Sequence, residues 1–308
     1  MIYQVLILII GFVLLVKGAD FFVEGAACIA GKMGIPQLIV GLTIVAMGTS
    51  MPEAAVSITA ALEGNAGISV GNVLGSNILN VLIILGVTAV ITNVAIQNST
   101  FVFEIPFMIG ITVLLAVFGY TGQMITFFEG VVFWILFVLF LIYLFVMARK
   151  AKTEEEEGKD IALWKCILFI LVGGIMVVKG SDLAVSGASE IARFFGMSER
   201  FIGLTIVALG TSLPELVTSV TAAGKGNAGI AIGNIVGSNI FNILFVIGTA
   251  ALICNVPFEP KFLVDSAIAV ASGVLLWLGT LKHRELRKPC GFIMLAAYAG
   301  YFAYLCVA

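Results

Sequence analysis

The sequence predicts an all-α membrane protein of ten transmembrane helices arranged as two inverted five-helix repeats, and three observations carry that expectation. Of 308 residues, 61% are hydrophobic and 11% charged, with mean hydropathy +1.16, a balance far from that of a soluble globular domain. Apolar runs of about 20 residues, long enough to cross a bilayer, recur along the whole chain. The chain also matches itself: Gly41 to Glu53, GLTIVAMGTSMPE, reappears at Gly203 to Glu215 as GLTIVALGTSLPE, which marks an internal duplication.

Runs bounded by charge, Gly, Pro or Asn place the spans at 2–31, 37–62, 68–91, 101–119, 125–148, 161–192, 200–223, 229–252, 261–281 and 290–307. The first lacks a basic leader and a small-residue cleavage site and reads as a retained span. The stretch 149–160, RKAKTEEEEGKD, is the only strongly polar segment. It divides the chain into a first repeat, 1–150, and a second, 151–308, and is too short for a folded regulatory domain. Five spans per half is an odd number, so the second copy enters the membrane with the opposite orientation. With the N-terminus outside, the inner loops hold Lys32, Arg149, Lys150, Lys152, Lys159, Lys165, Lys225, Lys282, Arg284, Arg287 and Lys288, against Arg193, Arg200 and Lys261 outside. Positive charge marks the cytoplasmic side, so both termini are expected to face outward.

Several function classes drop out. The net charge is -2 and no basic stripe with interleaved aromatics exists, so nucleic acid is not a partner. Cys28, Cys166, Cys254, Cys290 and Cys306 are scattered singly and read as free buried thiols, without a disulfide framework or a thiolate metal site. The one histidine, His283, lies in a basic loop. No phosphate-binding loop or nucleophile–base pair is visible, so an enzyme is not expected. No cofactor is implied, and no obligate protein partner is evident beyond the lipid bilayer.

The duplicated stretch places a carboxylate, Glu53 or Glu215, inside an otherwise uncharged segment. A carboxylate at mid-membrane costs several kcal/mol unless a cation, a proton or water attends it, so it is by default functional. Pro52 and Pro214 lack the N–H that a regular helix would give Gly48 and Gly210, and each should break its helix at mid-depth. Freed carbonyls need partners there. Thr49, Ser50, Thr211 and Ser212 flank the breaks. In the following block, NAGISVGNVLGSNILNVL against NAGIAIGNIVGSNIFNIL, Ser76 and Asn80 are four apart, as are Ser238 and Asn242, so each pair shares a helix face. Gly71, Gly75, Gly233 and Gly237 stand at small-xxx-small spacing, suited to close helix approach. Asn72 and Asn234 read as interhelical glue. All these donors are hard oxygens, which favours calcium, sodium or magnesium over zinc, copper or iron, and a dehydrated cage suits calcium better than magnesium. The two carboxylates could balance one divalent ion or hold two monovalent ones.

The remaining charges read more plainly. Lys17 with Asp20, and Lys179 with Asp182, are three apart and suited to local ion pairs. Glu63, Glu104, Glu129, Glu190 and Asp265 show no counterpart charge in the other half and fall near proposed span ends, where solvation is cheap. The phenylalanines from Phe127 to Phe145 read as lipid-facing or packing surface.

The paired GTSMPE and GTSLPE blocks, each followed by GNVLGSNILN or GNIVGSNIFN, resemble the two alpha repeats of the calcium/cation antiporter superfamily, in the style of prokaryotic sodium/calcium exchangers. The resemblance implies an antiporter in the plasma membrane of a prokaryote, exchanging calcium for sodium electrogenically by alternating access. It also implies a diamond formed by the second, third, seventh and eighth helices, past which long first and sixth helices slide. It puts calcium on Glu53, Glu215, Thr49 and Thr211. The sodium sites reuse both glutamates and add Ser50, Ser212, Ser76 and Ser238, with carbonyls near Ala46 and Ala208. Asn242, opposite Asn80, stands where some potassium-dependent relatives have Asp, which leans against potassium. Proton/calcium exchange and, further off, a calcium-permeable channel are the alternatives.

Overall fold

The computed structural model describes residues 2–150, 162–197 and 208–307. Most of the polar linker, Arg200 and the start of the seventh expected span lie outside the described residues. The long helices are α1 (Ile2–Met33), α2 (Gln37–Thr49), α3 (Met51–Leu62), α4 (Gly67–Ile91), α5 (Thr100–Gly122), α6 (Phe127–Lys150) and α7 (Leu163–Phe194). There follow α8 (Ala208–Thr211), α9 (Leu213–Gly224), α10 (Ala228–Ile253), α11 (Lys261–Gly279) and α12 (Lys288–Val307). Among the described residues seven helices are long and apolar enough to cross a membrane, and the pair α2 and α3, bent by 51°, makes an eighth such span. The protein is an all-α membrane protein.

The break between α2 and α3 falls at Ser50, whose φ and ψ of -84° and 7° leave the helical region, with Pro52 in the first turn of α3. The same happens at Ser212 ahead of Pro214 in α9. Proline is tolerated in a first turn because its missing N–H has no intrahelical partner there. The chain therefore stops one helix and starts another instead of kinking one. Wider π turns interrupt the ladder at Gly41–Val45 in α2, Asn80–Leu85 in α4 and Asn242–Ile247 in α10.

Burial sorts the helices. In α10, 94% of the most apolar window is buried and in α4 72%, against 22% in α6 and 28% in α1 and α7. The centre is thus α4 and α10, the two helices that carry the duplicated Gly-Asn-Ser block, with α2, α3 and α9 against them. On α6, Phe133, Phe137, Phe140 and Leu144 form one buried face, while Phe127, Phe128 and Phe145 are exposed.

Helices α1 and α7 run antiparallel along their length. Gly11 meets Gly180 and Ala184, Gly18 meets Gly173 and Val177, and Gly25 meets Cys166 and Ile170, close enough that a Cβ would come within 2.5 to 3.0 Å of those atoms. Glycine every seventh residue keeps one seam facing the partner. This pairing corrects the reading of all five cysteines as free: Cys28 and Cys166 are joined by a disulfide, their Cα atoms 5.7 Å apart. Separated by 138 residues, they carried no spacing signal, and only the antiparallel crossing brings them together.

Two further expectations are corrected. Asp20 is bonded across the chain to Lys225 at 2.9 Å, whereas Lys179 and Asp182 do form the local pair, at 3.6 Å. Glu104 is fully buried, not solvated at a span end, and it does have a counterpart. Short two-residue strands tie the loops at each face: β1 (Val94–Ala95) pairs with β4 (Glu285–Leu286), and β2 (Met124–Ile125) with β3 (Val256–Pro257). Val94 and Val256 keep the 162-residue offset. Beyond them Gln123 and Arg284, among the described residues the two non-glycine ones with φ of 53°, stand 161 apart, as do Gly130 and Gly291, which pack against Gly248 and Gly86 respectively. One residue fewer in the second-half loop therefore places Asp265 opposite Glu104, a match that a fixed offset hides.

Candidate functional site

At the helix breaks the two glutamates come together, each about 1% exposed. The halves reach across to one another. Ser50 Oγ donates to Glu215 Oε1 at 2.8 Å, and Ser212 Oγ donates to Glu53 Oε1 at 3.4 Å. The second oxygen of each carboxylate, Oε2, is buried without a protein hydrogen-bond partner. Below each glutamate a neighbouring amide fixes the backbone: Asn72 Nδ2 donates to the Glu53 carbonyl and to Ser57 Oγ, and Asn234 Nδ2 to the Glu215 carbonyl and to Ser219 Oγ. Asn72 and Asn234 thus act as the interhelical glue expected of them.

The hydroxyls expected at the breaks divide. Thr49 Oγ1 lies 3.1 Å from the Val45 carbonyl and 3.0 Å from Asn234 Oδ1. Ser238 Oγ donates to the Ala46 carbonyl at 3.4 Å, the same carbonyl that accepts the Ser50 N–H. Ser76 and Thr211 line a cavity of about 920 Å³ that also meets Asn65, Gly71, Asn72 and Asp265. Ala208 opens the short helix α8 that carries Thr211.

Asn80 and Asn242 sit in a second symmetric arrangement. Asn80 Nδ2 donates to Asn239 Oδ1 at 2.9 Å, and Asn242 Nδ2 donates to Asn77 Oδ1 at 3.1 Å. Asn77 and Asn239 each donate to the other's backbone carbonyl at 3.1 Å. The amide nitrogens are occupied, while Oδ1 of both Asn80 and Asn242 is buried and unpartnered. Sequence reasoning missed Asn77 and Asn239. The four-residue spacing that joined Ser76 to Asn80 leaves residue 77 on the next face of the helix, although identity in both blocks marks it.

Four buried carboxylate and amide oxygens of the duplicated blocks therefore lack a protein donor: Glu53 Oε2, Glu215 Oε2, Asn80 Oδ1 and Asn242 Oδ1. Leaving such groups unmatched costs about 1–3 kcal/mol each, more for a charged one, so their two-fold disposition asks for a ligand. They are hard acceptors, and among the described residues no group of three or more His, Cys, Asp or Glu forms a softer or more acidic metal cluster.

A family model described as sodium/calcium exchanger protein matches residues 3–146 and 165–307. The chain belongs to that family. A protein named CaxA from Alkalimonas amylolytica is 39% identical over 98% of both chains. The sodium/calcium exchanger MaX1 from Methanosarcina acetivorans is 30% identical over 97% of each. Among solved structures, the sodium-calcium exchanger NCX_Mj soaked with sodium and strontium superposes with a TM-score of 0.86 at 32% identity, covering 98% of each chain. The protein is accordingly a membrane cation antiporter of the exchanger family, a transporter and not an enzyme.

Proposed function

We propose that this antiporter exchanges calcium for sodium electrogenically, by alternating access, through the site at Glu53 and Glu215. The observation that carries the reading is the set of four orphaned oxygens. Two carboxylate and two amide acceptors, all buried without a protein donor, match a dehydrated calcium ion in charge and hardness. Thr49 and Thr211 complete the calcium ligands. Ser50, Ser212, Ser76, Ser238 and the carbonyls near Ala46 and Ala208 hold sodium around the same glutamates, with Asn80 and Asn242 bounding the cage. Because both ions need Glu53 and Glu215, occupancy by one excludes the other, and that exclusion couples the fluxes. Calcium and sodium are the transported substrates; no cofactor takes part and no protein partner is needed.

Ten helices in two inverted repeats, 1–150 and 151–308, give the architecture, with both termini outside the plasma membrane. The reciprocal hydrogen bonds of the site and the matched loop strands support that two-fold plan. On this orientation the cavity beside Ser76 and Thr211 opens outward, because its rim holds the loop after α3 and the start of α11.

The test is radiolabelled calcium uptake into proteoliposomes with sodium, potassium or proton gradients imposed one at a time. Uptake should follow the sodium gradient and vanish in Glu53→Gln and Glu215→Gln. Uptake that follows only the proton gradient would replace sodium by protons, and wild-type flux in either variant would remove the glutamates from the mechanism.

A further inference from the structure

The carboxylates Glu104 and Asp265 stand apart from the central site, yet the structure treats them alike. Each lies in the first turns of its helix, α5 or α11, just after a loop strand. Each is held by a tyrosine from the next helix: Tyr143 Oη donates to Glu104 Oε1 at 2.5 Å, and Tyr301 Oη donates to Asp265 Oδ1 at 2.9 Å. They occupy opposite faces of the molecule, because α5 follows β1, which pairs with β4, while α11 follows β3, which pairs with β2.

Their surroundings differ in one respect. Asp265 and Tyr301 line the cavity of about 920 Å³ that runs from Asn65 and Glu259 at its rim to Ser76 and Thr211 beside the central site. Lys261, on that rim, is engaged by Glu259 at 2.8 Å. Glu104 is 0% exposed, and its Oε2 is buried without a hydrogen-bond partner. One member of the pair thus lines an open path, and the other is sealed inside the protein with one carboxylate oxygen unpartnered.

We propose that Asp265 with Tyr301 is a cation-capture site on the access path open here, and that Glu104 with Tyr143 is its counterpart on the opposite face, uncovered when access alternates. The inference rests on the antiport reading above and deepens it. The ligand is a partly hydrated calcium ion. The tyrosine hydroxyl occupies one carboxylate oxygen and fixes the group, leaving the other oxygen for the ion. A single carboxylate at each mouth raises the local cation concentration without trapping the ion, as passage requires. It is a relay position short of the central cage, where both glutamates act at once.

Right-side-out and everted vesicles from expressing cells test the proposal, with sodium-driven calcium flux measured against calcium concentration on the exposed side. Asp265→Asn should raise the calcium KM by about 5- to 10-fold from the side where the cavity opens and by less than twofold from the other, a range at the low end of electrostatic focusing. Glu104→Gln should do the reverse. Tyr301→Phe and Tyr143→Phe should follow the same sides with smaller shifts, and they stand in if a carboxamide variant fails to fold. Equal shifts from both sides, no shift, or a fall in kcat without a change in KM would overturn the proposal. If the wild type itself shows no sodium-driven calcium flux, the antiport reading fails first and this proposal with it. An active wild type with side-independent variants removes only the capture role.

Discussion

The two central helices carry nearly the same sequence and meet different surroundings. In α10, Gly233 and Gly237 lie against the backbone of α2: a Cβ on Gly233 would sit 2.7 Å from the Leu38 carbonyl oxygen, and one on Gly237 2.8 Å from Leu42 and Ala46. In α4 the matching Gly71 meets only the Phe262 ring, at 3.4 Å, and Gly75 meets nothing within 4 Å among the described residues. Among the described residues, the α10 stripe is thus a closed seam against α2 and the α4 stripe lines the cavity beside Ser76, while residues 200–207, which match the sealing segment of α2, lie outside the described residues. The difference teaches that the same glycine spacing, which licenses a close helix approach, meets different described neighbours in the two halves.

The comparison can be broken most forcefully at the seam. Gly237→Val should leave little folded protein after detergent extraction, and Gly237→Ala should cost about 1–3 kcal/mol through overpacking against backbone that cannot give way, read as a lowered Tm. Retention of the wild-type Tm in Gly237→Ala would mean that α2 is free to withdraw from α10 at little cost. Asn77→Ala and Asn239→Ala come next, since each leaves buried groups of the other half unmatched, at about 1–3 kcal/mol. Their reciprocal geometry predicts equal losses of Tm, and unequal ones would show that the two-fold core is energetically lopsided. Gly75→Ala should change stability by no more than about 0.5 kcal/mol, in contrast to Gly237→Ala. Last, Asp20→Asn should lower stability by under about 1 kcal/mol, because the pair with Lys225 is more than one-third exposed and screened by solvent.

Much of this was legible in the chain. The membrane class followed from hydropathy, the helix breaks from Pro52 and Pro214, and the two buried acids beside them from the duplicated Thr-Ser-x-Pro-Glu block. Ser50 and Ser212 were named as neighbours of their own glutamates, and the structure adds that each bonds to the other half's glutamate. That crossing is invisible to local spacing because it depends on how the broken helices face each other. Asn77 and Asn239 were passed over because helical periodicity selects one face, whereas the packed centre uses two. Glu104 and Asp265 looked unrelated for a simpler reason: a one-residue deletion in a loop shifts the register of everything after it.

By itself, then, the sequence determined that the chain lies in a membrane, that it is doubled, that its helices break at two buried acids and that the donors there are hard oxygens. These are consequences of solvation cost and of backbone chemistry, which act residue by residue. Only the tertiary structure decided which oxygens are left without partners, which cysteines meet, and that the α10 glycine stripe closes on α2. Those outcomes depend on the relative placement of helices separated by more than a hundred residues, which no local stretch of sequence specifies until the rest of the fold is laid against it.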